Sequence, residues 1–305
     1  MPTSVTVLAP ATVANVVCGF DVLGFALSEP VDTMHFRLTD TPGVTIINED
    51  AFNLPTEPAR NVAGAALLAL LREAPGVGVE MRISKAILPG SGIGSSAASA
   101  AGAVVGANVL LDNRFSREEL VRFAMFGEEV ASGAQHADNI APCIYGGVTL
   151  IRATDPLDII PLPAPPLWVS VVHPQIEVKT ADARAILKQQ VPLRAAIRQW
   201  GNVGGLVAGL FMNDYDLIGR SLEDVIVEPV RSMLIPGFDE VKQQSRAAGA
   251  LGGGISGSGP SIFMLSRDEA TARAVAGVME QVYDRLGIER LTYVTTINTQ
   301  GVQVL

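Results

Sequence analysis

The chain has 305 residues, 48% hydrophobic and 17% charged, enough material for a large core, and at this length two domains are the default. A formal net charge of −9 without any basic tract argues against nucleic acid or an anionic membrane as partner. No apolar run is long enough to span a bilayer, the first residues lack a basic-then-apolar leader, and the two cysteines, Cys18 and Cys143, fit no metal spacing. Buried reduced thiols in a cytoplasmic protein are expected.

Ser4–Pro10 is β-rich and ends in proline, and Val31–Asp40 roughly alternates, so both read as strands. Asn61–Glu73 has the apolar face of a helix, and Val79–Ser84 alternates cleanly. After a glycine loop, Ser95–Leu111 reads as a helix packed with small residues. Phe115–Ser132 is another helix, opened by the capping pair Ser116 and Glu119. The proline-rich stretch Pro156–Pro166 reads as a connection between halves. Leu167–Pro174 is then a buried strand, and helices are predicted near 181–190, 193–213 and 239–248. A second glycine loop begins at Gly249 and leads into the strand Ser261–Ser266. Ser266 and Glu269 give a capping pattern for a helix ending at Gly287, and the last fourteen residues, TYVTTINTQGVQVL, read as a β-hairpin. The order of elements is α+β rather than a strict βαβ alternation.

The glycine loop carries the chemistry. In LPGSGIGSSAASAAG (Leu88–Gly102), glycines free the backbone to turn its N–H groups on a ligand, and the helix behind them offers its unpaired N-terminal N–H groups and positive dipole end. Such a loop holds an anion, usually phosphate. No lysine follows Gly94, so this is not a P-loop, and the G-x-G-x-G spacing is not a dinucleotide fingerprint. Taken alone, it is also compatible with a plain glycine turn between strand and helix.

PGSGIGSSAAS resembles the second motif of the GHMP kinases, GGGISGSGPSIF (Gly252–Phe263) their third, and VLAPATVANVVCGFDVLGFAL (Val7–Leu27) their first. HADNIAPCIYGG (His136–Gly147) and EPVRSMLIPGF (Glu228–Phe238) resemble the family's homoserine kinase branch. The blocks run from the first strand to the last segment. One departure is Cys18, which stands where that branch often has proline. The resemblance implies a two-domain GHMP kinase fold: residues 1–165 resembling the ribosomal protein S5 domain 2-like fold, and residues 166–305 a ferredoxin-like α/β sandwich.

It also implies site residues. Pro89, Gly90, Ser91, Gly92, Ile93, Gly94, Ser95, Ser96, Ala97, Ala98 and Ser99 would wrap the phosphates of ATP, and Ser96 and Glu128 would hold Mg²⁺, which takes hard oxygen ligands. Without the family, Glu128 is an ordinary helix carboxylate. Asn61 would contact adenine or simply cap its helix. Asp21 would pair with the ammonium of L-homoserine, and Arg184 and Arg231 would clamp its carboxylate, a task suited to planar guanidinium groups. Asn15 and Asn139 would bond its polar end, with His136 and Thr180 close by; a structural role for His136 stays open. The implied activity is transfer of the γ-phosphoryl group of ATP to the homoserine hydroxyl in threonine biosynthesis, without a strong general base, although Asp138 is a candidate for one. A mevalonate- or shikimate-type kinase and a non-catalytic ATP-binding protein are the competing readings. A homodimer follows from the family alone.

Overall fold

The computed structural model describes residues 2–178 and 180–305, with the side chains of Thr180 and Ala181 outside that description. The first part of the chain builds strands β1 (Ser4–Ala14), β2 (Leu23–Thr39), β3 (Gly43–Asn48), β4 (Gly78–Ser84), β5 (Val148–Thr154) and β6 (Leu157–Leu162), with helices α1 (Val62–Arg72), α2 (Ser95–Leu110), α3 (Arg117–Ser132) and α4 (Ile140–Tyr145). β2 is the spine of this sheet: it pairs antiparallel with β1, β4 and, through its first residues, β5, while β3 joins β4 in parallel. Helix α2 lies directly on the sheet because its residues are small. A Cβ at Gly102 would stand 2.4 Å from the Met34 sulfur, and one at Gly106 2.3 Å from the Phe36 ring. Ala97, Ala98, Ala100 and Ala101 are wholly buried in this contact.

The second part contains β7 (Trp168–Pro174), α5 (Thr180–Ala185), α6 (Leu193–Met212), α7 (Tyr215–Ser221), α8 (Glu228–Arg231), α9 (Phe238–Ala247), β8 (Gly252–Ile255), β9 (Ile262–Ser266), α10 (Glu269–Leu286) and β10 (Arg290–Thr296). Its four strands lie in the order β10-β7-β9-β8, all pairs antiparallel. With helices between β7 and β8 and between β9 and β10, this is the ferredoxin-like arrangement. α9 and α10 bury Phe238, Val241, Met279, Val282 and Tyr283 against the sheet.

The last strand, β11 (Gln303–Val304), leaves this unit and pairs with β1 in the first sheet. The closing residues are therefore not a hairpin: β10 and β11 sit in different sheets, and a cut between residues 165 and 166 does not part the two units cleanly. The proline-rich stretch is not a bare connection either, since it contains β6. Among the described residues that strand pairs only with β5, an edge position where Pro161 leaves no ladder donor missing. The cap of α10 is Asp268, whose carboxylate accepts from the Thr271 N–H at 2.8 Å, not Ser266. The capping box at Ser116 and Glu119 forms as the sequence predicts.

One buried ion pair ties the first sheet to the glycine loop. Lys85 donates from its ammonium to Asp32 on β2, to the Ser95 carbonyl at 3.2 Å and to the Ser99 hydroxyl at 2.8 Å. The other Asp32 oxygen accepts from the N–H groups of Ala86 and Ile87, each at 2.9 Å. Every donor of the ammonium is spent, so this pair offsets its own desolvation through geometry. Lys85→Met, which strands the Asp32 carboxylate, is expected to cost about 3–5 kcal/mol in urea denaturation, and Lys85→Met combined with Asp32→Leu is expected to recover much of that loss.

Candidate active site

The glycine loop, the turn after β1, the end of α3, the segment before α4 and the helices α5 and α8 enclose one cavity of about 320 Å³. Gly90, Gly92 and Gly94 take left-handed backbone angles of 76°, 82° and 70°, and Gly94 caps the start of α2. A side chain at two of these positions is sterically impossible. A Cβ at Gly94 would fall 1.9 Å from the Thr12 hydroxyl, and one at Gly92 would fall 2.5 Å from the Gly259 carbonyl. The third motif packs on this loop. Ser256 and Ser261 donate from their hydroxyls to the carbonyls of Gly92 and Ser91 at 2.8 and 2.6 Å, and the Thr12 N–H binds the Ile93 carbonyl at 3.1 Å. Three successive carbonyls are thus drawn away from the ligand side, which leaves the loop's character to its N–H groups and to the helix start.

Not all predicted loop residues face the cavity. Pro89, Gly90, Gly92, Gly94, Ser95, Ser96 and Ser99 line it. Ile93, Ala97 and Ala98 belong to the hydrophobic core instead, and Ser91 is buried with its hydroxyl unpartnered. The Ser95 hydroxyl is committed to the Ile87 carbonyl at 2.9 Å. Ser96 donates to a Glu128 carboxylate oxygen at 2.9 Å, so the fold brings together two residues 32 apart in sequence. Burial pushes the Glu128 carboxyl above its ordinary range, against the hydrogen bonds from Ser96 and Ser132. Asn61 lines the cavity as the cap of α1: its oxygen accepts from the Gly64 N–H at 3.0 Å and its amide donates to the Pro55 carbonyl at 2.6 Å.

The residues expected to meet an amino acid form a second cluster on the same cavity. Arg184 reaches both oxygens of Asp21, at 2.8 and 3.0 Å. The guanidinium groups of Arg184 and Arg231 both lie over the Phe20 ring, 5.4 and 4.9 Å from its centre. Arg231 is buried and donates to the Ala183 and Gly257 carbonyls at 3.0 and 3.2 Å, which spends two of its five donors. Asn139 accepts from the Thr12 hydroxyl at 2.8 Å. Asn15 lines the cavity, yet its amide group serves the backbone: it donates to the Gly257 carbonyl at 2.7 Å and accepts from the Asp21 N–H at 3.0 Å. It thereby braces a turn in which Asn15, Val16, Val17 and Asp21 all have positive φ. The Thr180 side chain lies outside the described residues.

Charge in the cavity is unevenly met. Asp138 is buried, and burial together with the negative charges of Asp21 and Glu128 pushes its carboxyl up to about 7. His136 is held neutral by burial first, against the pull of Asp21, and its Nε2 is buried without a partner. Three carboxyl groups share this space with a guanidinium pair that touches only one of them directly, so the region of Glu128 and Asp138 favours a cation. Sequence reasoning missed Lys85, whose position just beyond the alternating strand Val79–Ser84 carries no pattern that marks it, and Phe20, whose ring supports both arginines. It also missed the apolar wall of Leu54, Pro55 and Val62 beside Asn61.

Models of the GHMP kinase N-terminal and C-terminal domains match residues 61–147 and 195–285. The chain belongs to the GHMP kinase family. It is similar to the homoserine kinase of Chloroherpeton thalassium, 47% identical over 99% of each chain, and to that of Chlorobaculum tepidum, 45% identical over 99% of this chain and 98% of the relative. The crystal structure of a homoserine kinase from Cytophaga hutchinsonii superposes with a TM-score of 0.95 at 50% identity, covering 100% of this chain and 98% of that one. The L. major mevalonate kinase shares the fold alone, at 18% identity and a TM-score of 0.73, with 96% of each chain covered. This GHMP kinase is therefore a two-domain phosphotransferase that draws on ATP, and among the described residues no helix is long and apolar enough to cross a membrane.

The Asp138 environment has a measurable sign. Its carboxyl holds a proton more firmly folded than unfolded, where such a group titrates near 3.9, so its burial penalty is complete above about pH 7 and fades as pH falls toward 4. Ligand-free Asp138→Asn is expected to be more stable than the parent at pH 8 by about 1–3 kcal/mol in urea denaturation, with the gap closing by pH 4–5.

Proposed function

We propose that this GHMP kinase is a homoserine kinase, transferring the γ-phosphoryl group of ATP to the hydroxyl of L-homoserine to give O-phospho-L-homoserine in threonine biosynthesis. The carrying observation is the Asp21–Arg184–Arg231 group on the cavity wall. An α-amino acid brings an ammonium and a carboxylate together, and the Asp21–Arg184 pair is their complement: the ammonium replaces Arg184 at Asp21, and the freed guanidinium joins Arg231 on the carboxylate. Mevalonate and shikimate bring a carboxylate without an ammonium and would leave Asp21 unmatched. The full-length similarity to homoserine kinases supports the same reading.

The glycine loop supplies main-chain donors for the phosphates, and the wall of Leu54, Pro55 and Val62 near Asn61 suits a flat apolar base. Mg²⁺ would be held by Ser96 and Glu128: their oxygens meet at 2.9 Å, both are hard donors, and the buried Glu128 carboxyl gains its counter-charge. No cluster of three His, Cys, Asp or Glu side chains suited to a metal occurs among the described residues, which fits an ion that takes its remaining ligands from the nucleotide. Bound there, the ion would neutralise charge developing between the β- and γ-phosphates.

The chain's part in transfer is positional. A loose phosphoryl transition state asks for alignment and charge more than for proton abstraction. This reading needs no base at Asp138, whose carboxyl, pushed up to about 7, carries its proton only part of the time near neutral pH; the hydroxyl proton passes late to a phosphoryl oxygen or to water, as the new O–P bond forms and ADP departs. We place the enzyme in the cytoplasm, where the buried free thiols of Cys18 and Cys143 stay reduced. We also propose a homodimer. On α6, Leu193, Ile197, Trp200, Phe211 and Met212 are 57–68% exposed, with open space over Gly201 and Gly204 between them, a self-complementary arrangement of large and small residues.

An ATP-consumption assay across homoserine, mevalonate, shikimate and galactose tests the substrate: homoserine alone is expected to turn over, and turnover of another alcohol in its place overturns the reading. Arg231→Leu is expected to raise KM for homoserine at least tenfold and leave KM for ATP within about threefold. Asp138→Asn is expected to keep kcat within about tenfold; a loss of several orders with unchanged KM would restore it as a base. In sedimentation velocity, Trp200→Glu is expected to turn a dimer into a monomer.

A further inference from the structure

The substrate cluster stands on two segments that have no covalent reason to stay in register. One is the turn Asn15–Asp21, the other the segment from Asp224 into α8 that delivers Arg231. The turn is strained: Asn15, Val16 and Val17 have consecutive φ values of 70°, 40° and 62°, and β-branched residues there persist only when their surroundings overdetermine them. The Asp224 segment is organised by its own carboxylate, which accepts from the N–H groups of Ile226, Val227 and Glu228 at 2.8–3.0 Å.

Gln199, on the buried face of α6, joins the two. Its amide donates to the Cys18 carbonyl at 2.8 Å, and its oxygen accepts from the Val225 N–H at 3.1 Å. Gln199 is 7% and Cys18 2% exposed, so their bond sits away from water and its loss leaves a buried carbonyl without a partner, while the bond to Val225 is partly buried. Cys18 lies two residues from Phe20, whose ring carries both arginines, and three from Asp21. Only a side chain with a donor and an acceptor at the same reach satisfies a carbonyl on one segment and an N–H on the other.

We propose that Gln199 is a positioning residue for the amino-acid substrate: it clips the Asn15–Asp21 turn to the Arg231 segment and so sets the spacing between the ammonium and carboxylate sites. The proposal rests on the homoserine reading above. Among the described residues, the hydrogen bonds of Gln199 run to Cys18 and Val225 and none to the glycine loop or Glu128, so its effect is expected at one substrate.

The test is two-substrate kinetics on the purified parent enzyme and on Gln199→Met, which keeps the length and apolar volume and removes both bonds. KM for homoserine is expected to rise on the order of tenfold to a hundredfold while KM for ATP stays within about threefold, because small misplacements of binding groups are felt at the substrate they hold. Gln199→Glu is the second variant should Gln199→Met not fold. It keeps the acceptor for Val225 and sets an acceptor against the Cys18 carbonyl, and the same split is expected. A lowered melting temperature with both KM values unchanged, or KM values for ATP and homoserine rising together, makes Gln199 a general structural residue and overturns the proposal. Absence of homoserine turnover in the parent enzyme overturns the functional reading instead, and the parent control separates the two failures.

Discussion

The architecture of the site depends on a close approach that allows no Cβ. At Gly92 the glycine loop meets the Gly259 backbone carbonyl of the second unit, and at Gly94 it meets the buried Thr12 hydroxyl of the first sheet, both closer than a Cβ permits. Serines of the third motif and the amide of Thr12 then take up the loop carbonyls. From beneath, Lys85 holds the first turn of α2 to β2. A loop that must offer its N–H groups to an anion has three successive carbonyls engaged elsewhere, and this order is built before any ligand arrives.

Charge is arranged on the same plan of partial satisfaction. Asp32 and Lys85 answer each other fully and belong to the fold. Asp21 and Arg184 answer each other in a form that an amino acid can divide. Glu128 and Asp138 are answered least: Glu128 is met by hydroxyl donors, and Asp138 faces the negative charges of Asp21 and Glu128. Reading the cavity from the fully paired to the unpaired groups gives the order of structural support, substrate exchange and cation demand.

Much of this was legible in the sequence because it is encoded locally. The glycine loop and the helix of small residues behind it sit in one run of fifteen residues, and the Ser116–Glu119 box forms as its spacing implies. What was not legible is what only tertiary contact decides. β8 is Gly252–Ile255, almost without side chains, so its strand character comes from pairing with β9 rather than from propensity. β6 hid behind its proline. The closing residues read as a hairpin because two strands with a turn between them look alike whether or not they share a sheet. At the site, the motifs do not show their atoms' commitments: the resemblance implies a substrate contact for Asn15, whose amide is engaged by backbone, and of the two readings of Asn61 the structure shows the helix cap. Gln199 and Lys85 lie outside every motif and emerge only from their contacts.

The return of β11 to the first sheet has a mechanical result. The ferredoxin-like unit is an insertion in the first domain, entered after β6 and left before β11, and so it is anchored by two strands of covalent chain rather than one. The two units also share one hydrophobic core, in which Phe25 packs edge-to-face on Phe263, and a bridge joins Leu27 to Ile297, so Arg231 and Asp21 are held in place by two chain crossings and a common packing rather than by a single tether.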